Sequence, residues 1–269
     1  MSGSAAARRW AEALAAWAIP QEILDRAPAK PWGCPTSLFA VAAEEALAPD
    51  AGLRPTTRRA AELLPDGGAV LDVGAGGGAA SFPLAPPAAL VTAVDESAGM
   101  LEAFAGLAAR RGVDHAEVQG TWPEVAAKVE PADVVVCAHV FYNVADLEPF
   151  VAALTAKARR RVVVELTANH PMSSLNRLWR RFHDLDRPTG PTADDAVAVL
   201  AGMGLESGVE RWEAPGRWET APRGELVAFA RRRLCLTSDR DPEVSAALDE
   251  DFIAGPRQLV TLWWPGAAG

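Results

Sequence analysis

With 269 residues, 49% of them hydrophobic and 23% charged, the chain has the composition of a folded globular protein and the length for one substantial core, or one core plus a small appendage. Its net charge of −9 and pI near 5.0 count against a broad phosphate-binding surface, though not against a local basic patch. Three cysteines, Cys34, Cys137 and Cys235, stand far apart without CxxC spacing, which argues for a reducing compartment and against a disulfide framework or a zinc site; no apolar run approaches membrane-spanning length.

Residues 1–60 read as several short helical pieces, because Pro20, Pro28, Pro31, Pro35, Pro49 and Pro55 each remove a donor and tend to end a helix. Arg8-Arg9-Trp10 ahead of an Ala-rich run mimics a twin-arginine signal. Glu12 interrupts that run, however, and Trp10, Leu14 and Trp17 fall at i, i+4, i+7 spacing, so the expectation is an amphipathic helix of a cytoplasmic protein. Trp32-Gly33-Cys34-Pro35 reads either as part of a cover over a site or as a turn anchored by a buried tryptophan.

From Ala69 onward strand and helix signals alternate regularly, the pattern of a parallel sheet with helices on both faces. The first strand, Ala69–Gly74, runs into glycines at Gly74, Gly76, Gly77 and Gly78 and then into small residues suited to starting a helix, which Pro83, Pro86 and Pro87 keep short. The second strand is Leu90–Asp95. Ser97 caps a helix to Arg111, with Gly112 as its stop and Met100, Leu101, Phe104 and Leu107 as its apolar stripe. Ala116–Gly120 is the third strand, and the β-branched run Ala132–Ala138 the fourth. A helix over Asp146–Ala158 precedes the fifth strand, Arg161–Leu166. Ser173–His183 reads as an added helix with Leu175, Leu178, Trp179 and Phe182 on one face and Arg177, Arg180 and Arg181 on the other. Thr192 caps a helix to Ala201 with Asp194 and Asp195 in its first turn. Leu205–Glu213 follows as a strand, Glu225–Leu236 and Pro242–Ile253 as helices, and Gln258–Trp264 as the last strand.

The chemistry concentrates in AVLDVGAGGGAA, residues 69–80. Glycines let the backbone turn tightly and approach a ligand, and a helix beginning there points free N–H groups at it. Asp95, some twenty residues on and at the tip of the neighbouring strand, is where a nucleotide ribose meets a carboxylate. Gly74-x-Gly76-x-x-Ala79 satisfies the loose dinucleotide fingerprint. Asp72, ahead of the glycines, makes the spacing Asp72-x-Gly74-x-Gly76-x-Gly78, which resembles the first motif of class I S-adenosylmethionine-dependent methyltransferases; Asp95-Glu96-Ser97-x-x-Met100 resembles that family's ribose-and-adenine segment. The resemblance covers roughly residues 65–265. It implies an α/β, Rossmann-like methyltransferase fold with seven mostly parallel strands in the order 3-2-1-4-5-7-6, the seventh antiparallel. The cofactor implied is S-adenosyl-L-methionine, held by Asp72, Gly74, Ala75, Gly76 and Gly78 at its methionine end and by Asp95, Glu96 and Met100 at its nucleoside end. Thr121 stands where many members carry an acid that reads the adenine amino group; Thr121, a backbone carbonyl or stacking by Trp122 is left to serve there.

Methyl transfer from a sulfonium is an in-line displacement that proximity and alignment can drive, with a base needed only where the acceptor must lose a proton. His139, delivered to the sheet edge by the fourth strand, is the general-base candidate; a structural histidine bonded to a carbonyl is the alternative. Tyr142 and Asn143 follow it as groups that either orient an acceptor or shape the turn, and the loop lacks the Asn/Asp-Pro-Pro-Tyr pattern of exocyclic-amine methylases. His170, Arg177 and Arg181 are acceptor-side candidates, the arginines either on an anion-binding lid or on a solvated face. With four histidines and none at ligand spacing, no metal is assigned. Residues 1–60 are expected to cap the cofactor site of a domain spanning 61–269, with a helical insertion near 171–190. The expected activity is methyl transfer to a small-molecule acceptor. An RNA methyltransferase, suggested by Arg159–Arg161 and Arg231–Arg233, and a non-catalytic cofactor-binding assembly or regulatory protein are the alternatives.

Overall fold

The computed structural model describes residues 3–32, 53–216, 221–248 and 255–267. Gly33, Cys34 and Pro35, and the end of the helix expected at Pro242–Ile253, lie outside the described residues. Seven strands form one sheet: β1 (Ala69–Val73), β2 (Leu90–Asp95), β3 (His115–Gln119), β4 (Ala132–Ala138), β5 (Ala158–Thr167), β6 (Gly208–Ala214) and β7 (Arg257–Pro265), in the order β3-β2-β1-β4-β5-β7-β6. The first five pair in parallel, and β7 runs antiparallel to both β5 and β6, as the resemblance implies. Sequence explains which strands are central. β1 and β4 are nearly all apolar because both their faces are covered, whereas β3, HAEVQ, is polar and largely open because it is an edge. β5 begins three residues earlier than expected, at Ala158, which pairs with Ala132 ahead of an irregularity in the β4 register.

The described helices are α1 (Ala5–Ala15), α2 (Gln21–Leu24), α3 (Pro55–Ala61), α4 (Ala98–Arg111), α5 (Leu147–Lys157), α6 (Asn176–His183), α7 (Ala193–Gly202), α8 (Arg223–Arg233) and α9 (Asp241–Ala247). Alternate strand residues feed two cores. Val70, Val91, Val134, Val136 and Val163 pack under α3 and α4, where Phe82 and Phe104 stack at 4.6 Å. Leu71, Val135, Val164, Leu166 and Trp264 pack under α1, α5 and α7. Each fully buried ring or branched side chain in these layers contributes about 1.5–3 kcal/mol by removal from water. The caps read from sequence are present: Ser97 accepts from the Met100 N–H, Gly112 takes the left-handed conformation after α4, and Thr192 with Asp195 forms a capping box on α7.

After the glycine run the expected helix is replaced by turns and one 3-10 turn, Phe82–Leu84. Pro83, Pro86 and Pro87 lack the donors a longer helix would need. A third apolar cluster joins elements that sequence kept apart: Ile19 and Ile23 of the N-terminal stretch, Leu178 and Trp179 of α6, Leu226 of α8 and Val244 of α9. Among the described residues no helix is long and apolar enough to cross a membrane.

Candidate active site

The strand order reverses direction at β1, which lies between β2 and β4, and in open α/β sheets the carboxyl ends of the strands at such a point are where ligands bind. Asp72, Asp95 and His139 all sit at this edge. Asp72 is fully buried near the end of β1. Its Oδ2 accepts from the Ser81 hydroxyl at 2.6 Å, while Oδ1 is buried with no protein donor. Burial pushes its pKa up to about 7, with Asp95 adding to the rise and the Ser81 bond opposing it.

The glycine loop is shaped by what crowds it. Gly74 has φ 73°, and a Cβ there would lie 2.3 Å from Cγ2 of Val140, so the β1 loop touches the residue after His139. Gly78, at φ 87°, would place a Cβ 2.2 Å from the Phe82 ring. Neither site admits another residue. The loop is tied to the β2 tip by the Gly76 N–H, which donates to Asp95 Oδ2 at 2.9 Å; Oδ1 of Asp95 accepts from the Ser97 N–H at 2.9 Å. The Gly74 and Ala75 N–H groups both donate to the Val94 carbonyl. Each Asp95 oxygen keeps a further lone pair, so the carboxylate can still accept from two vicinal hydroxyls.

These residues fit S-adenosylmethionine: an unpartnered buried carboxylate oxygen at Asp72 lacks the donor that a bound ligand can supply, and Asp95 retains capacity for a ribose diol. Met100 is buried on the first turn of α4 and Glu96 is exposed beside Asp95. Thr121 is exposed. Trp122 has its indole in the core, with Nε1 donating to the Phe150 carbonyl at 3.3 Å.

At the other end of this edge, His139 adopts φ 60°, a left-handed conformation rare for a residue with a side chain. Its N–H donates to the Glu165 carbonyl at 2.7 Å, and its ring Nε2 lies 3.1 Å from Glu165 Oε1. The Glu165 side chain is buried; Oε2 accepts from the Thr56 hydroxyl at 2.6 Å, and Thr56 bonds in turn to Thr261 at 2.8 Å. Burial raises the Glu165 pKa, but bonds and charge from His139, with the Thr56 bond and the Arg54 charge, outweigh it and hold the group below its ordinary value.

Tyr142 donates its hydroxyl to the Thr167 carbonyl at 2.7 Å and stacks on Trp10 at 5.6 Å, and burial pushes its pKa up. Asn143 is exposed in the turn after it. His170 is buried, stacked on Trp17 at 4.0 Å; Nδ1 accepts from the Met172 N–H, and burial, with the Arg187 charge, lowers its pKa to about 4. Arg177 and Arg181 line a depression of about 260 Å³ with Leu178, Ala246 and Ala247, between α6 and α9. Thr56 was missed from sequence. It sits 109 residues from Glu165 on a helix with no motif, and only packing brings the two together.

Comparison with known proteins agrees with this geometry. A family model described as a methyltransferase domain matches residues 70–162, which run from β1 into β5 and carry the glycine loop, Asp95 and His139. An uncharacterised protein of Haemophilus influenzae is 36% identical over 104 residues; the match spans 38% of this chain and 38% of the length of that relative. Among solved structures, the YcgJ protein of Bacillus subtilis superposes with a TM-score of 0.55 at 15% identity, covering 80% of this chain and 98% of its own. Coclaurine N-methyltransferase, solved with N-methylheliamine and S-adenosylhomocysteine, superposes with a TM-score of 0.51 at 13% identity, over 96% of this chain and 93% of its own. At such identities the structures speak for the fold alone, while the family match assigns residues 70–162, with the acid-and-glycine loop at their start, to a methyltransferase domain.

Proposed function

We propose that this protein transfers a methyl group from S-adenosylmethionine to a small-molecule acceptor held past the ends of β4 and β5. The observation that carries this reading is the closed link between glycine loop and ribose acid, Gly76 N–H to Asp95 Oδ2 at 2.9 Å, beside the unpartnered Oδ1 of Asp72. When bound, the cofactor supplies a methyl group on a positively charged sulfur. Asp95 accepts the ribose hydroxyls, Asp72 and the loop from Gly74 to Gly78 hold the methionine end, and His139 faces the acceptor. Trp10, which donates from Nε1 to the Val144 carbonyl, and Trp17, which stacks on His170, lay the N-terminal segment over the strand ends and exclude water there. In this reading the cap is the stretch through α1 and α2, while α3 lies across the opposite face of the sheet with the other residues of its core.

The alternative of an RNA substrate gains little, because four of the six arginines that suggested it have acidic partners, Arg159 and Arg160 with Asp133, Arg161 with Glu62, and Arg231 with Asp241, while Arg232 and Arg233 donate to the Lys30 and Pro31 carbonyls. Buried free thiols at Cys137 and Cys235 support a reducing compartment such as the cytoplasm. Calorimetry of the pure protein with S-adenosylmethionine, S-adenosylhomocysteine and NAD tests the reading at its base, followed by transfer of labelled methyl to metabolite pools and to RNA. Binding of NAD without either sulfur compound, or labelling of RNA alone, would overturn it.

A further inference from the structure

We propose that Glu165 is a positioning residue that fixes His139 as a base, and that the acceptor is accordingly a group that must shed a proton, a hydroxyl or a protonated amine. This rests on the methyl-transfer reading of the site. Two contacts converge on one residue: the His139 N–H is held by the Glu165 carbonyl at 2.7 Å and the ring Nε2 by Glu165 Oε1 at 3.1 Å. A carboxylate can only accept, so Nε2 carries the proton and the neutral ring keeps its lone pair on Nδ1. The left-handed backbone of His139, φ 60°, is a strained arrangement that the backbone bond and the ring–carboxylate contact maintain, and such strain gathers where a side chain must be aimed.

The orienting carboxylate is itself fixed by a one-way chain of donors. The Trp212 indole N–H donates to the Thr261 hydroxyl at 3.0 Å, Thr261 and Thr56 bond at 2.8 Å, and the Thr56 hydroxyl donates to Glu165 Oε2 at 2.6 Å. With Trp212 able only to donate and Glu165 only to accept, every proton in that chain points toward Glu165. The carboxylate is buried while 36% of the His139 side chain is exposed, so the pair has an inner end that is locked and an outer end that a ligand can reach. The next residue, Val140, packs against Gly74, which places this outer end beside the cofactor loop.

In the step so assigned, the acceptor's O–H or N–H bond breaks and its proton passes to Nδ1 of His139. The electron pair stays on the oxygen or nitrogen and would form the bond to the methyl carbon, whose bond to the cofactor's sulfur would break with its electron pair left on that sulfur. The imidazolium lies against the Glu165 carboxylate, which neutralises it, and later releases the proton to solvent through its exposed edge. An acceptor with no proton to lose, such as a thioether, has no use for the pair.

Long-range proton–nitrogen correlation spectra of the labelled full chain, with the His139 ring assigned through His139→Gln, read the tautomer directly. The expected result is a ring protonated at Nε2 with an unprotonated Nδ1, and a mixture of tautomers in Glu165→Leu; an Nδ1-protonated ring in the wild type would overturn the assignment, whether or not the variant folds. Labelled-methyl assays with catechol, benzylamine and dimethyl sulfide test the acceptor class. Methylation of catechol or benzylamine that falls roughly tenfold or more in Glu165→Gln, with cofactor affinity retained, supports it. An unchanged rate in that variant, or methylation of dimethyl sulfide, sinks it. An Nε2-protonated ring in a protein that binds neither S-adenosylmethionine nor S-adenosylhomocysteine would instead defeat the methyl-transfer reading and leave the pair intact.

Discussion

Replacing Asp95 by alanine perturbs two things at once, and their sizes differ enough to separate. In the folded protein Asp95 accepts one backbone N–H on each oxygen, from Gly76 and from Ser97, both at 2.9 Å. Its loss frees the glycine loop from the β2 tip, but the site is partly open, so water replaces much of what those N–H groups lose and the melting temperature should fall by only a few degrees. Cofactor binding should fall much further. A hydrogen bond to a charged group contributes about 1.5–3 kcal/mol, so even one lost ribose bond weakens affinity about 10- to 150-fold. Asp95→Asn should fall between, because one of its two amide ends presents donors to a backbone N–H that already donates. Calorimetry with S-adenosylhomocysteine, run beside thermal melts, gives both quantities. If Asp95→Ala bound within about threefold of the wild type, a difference under ~1 kcal/mol, the ribose assignment would be wrong.

Asp72→Asn should stabilise the ligand-free protein at pH 8 relative to the wild type, with the difference vanishing near pH 4. A carboxyl whose folded pKa of about 7 exceeds its unfolded value binds an extra proton when folded, so its contribution is full at low pH and is lost as pH rises to that value; parallel melts across pH check it, and a pH-independent difference would count against it. Trp10→Ala should cost about 3–5 kcal/mol in urea unfolding, since it empties a fully buried site and removes the bond to Val144 and the stack on Tyr142. Chains ending before Gly255 should be insoluble, because β7 pairs with both β5 and β6 and its loss opens the sheet between them; a soluble truncated form with a cooperative melt would contradict that role.

The sheet was legible, and with it the loop that joins Asp72 to Asp95, because their signals are local. Val134-Val135-Val136, β-branched and apolar throughout, reads as a doubly covered strand, and Asp72, the glycines and Asp95 lie within one β-loop-β stretch whose spacing carries the resemblance. What sequence concealed is what packing decides. The helix expected after Gly78 failed because the prolines beyond it act on a short element with few bonds to lose. Trp122, beside the expected adenine site, has its indole turned into the core toward Phe150. The helices near α6 and α8 share a core with Ile19 and Ile23 through apolar faces separated by most of the chain, a pairing no periodicity announces. Thr56 reaches Glu165 for the same reason: hydrogen-bond partners across a layer are fixed by docking of a helix, not by spacing along the chain.

The distribution of strain and burial over the molecule follows from that division. The β-sandwiching layers are apolar and satisfied, whereas the carboxyl edge holds an unpartnered oxygen at Asp72, a left-handed His139 and a buried Glu165. The unpartnered oxygen and the left-handed backbone destabilise by roughly 1–3 kcal/mol each and persist only where surroundings over-determine them. Here the surroundings come from outside the domain match of residues 70–162: Thr56 from α3 and Thr261 from β7 around Glu165, and Trp10 and Trp17 around the loops after β4 and β5. In the proposed reading the segment 70–162 would supply the cofactor loop, while the flanking sequence would stiffen the acceptor edge. Proteins sharing only that segment would keep the cofactor and be free to change the acceptor.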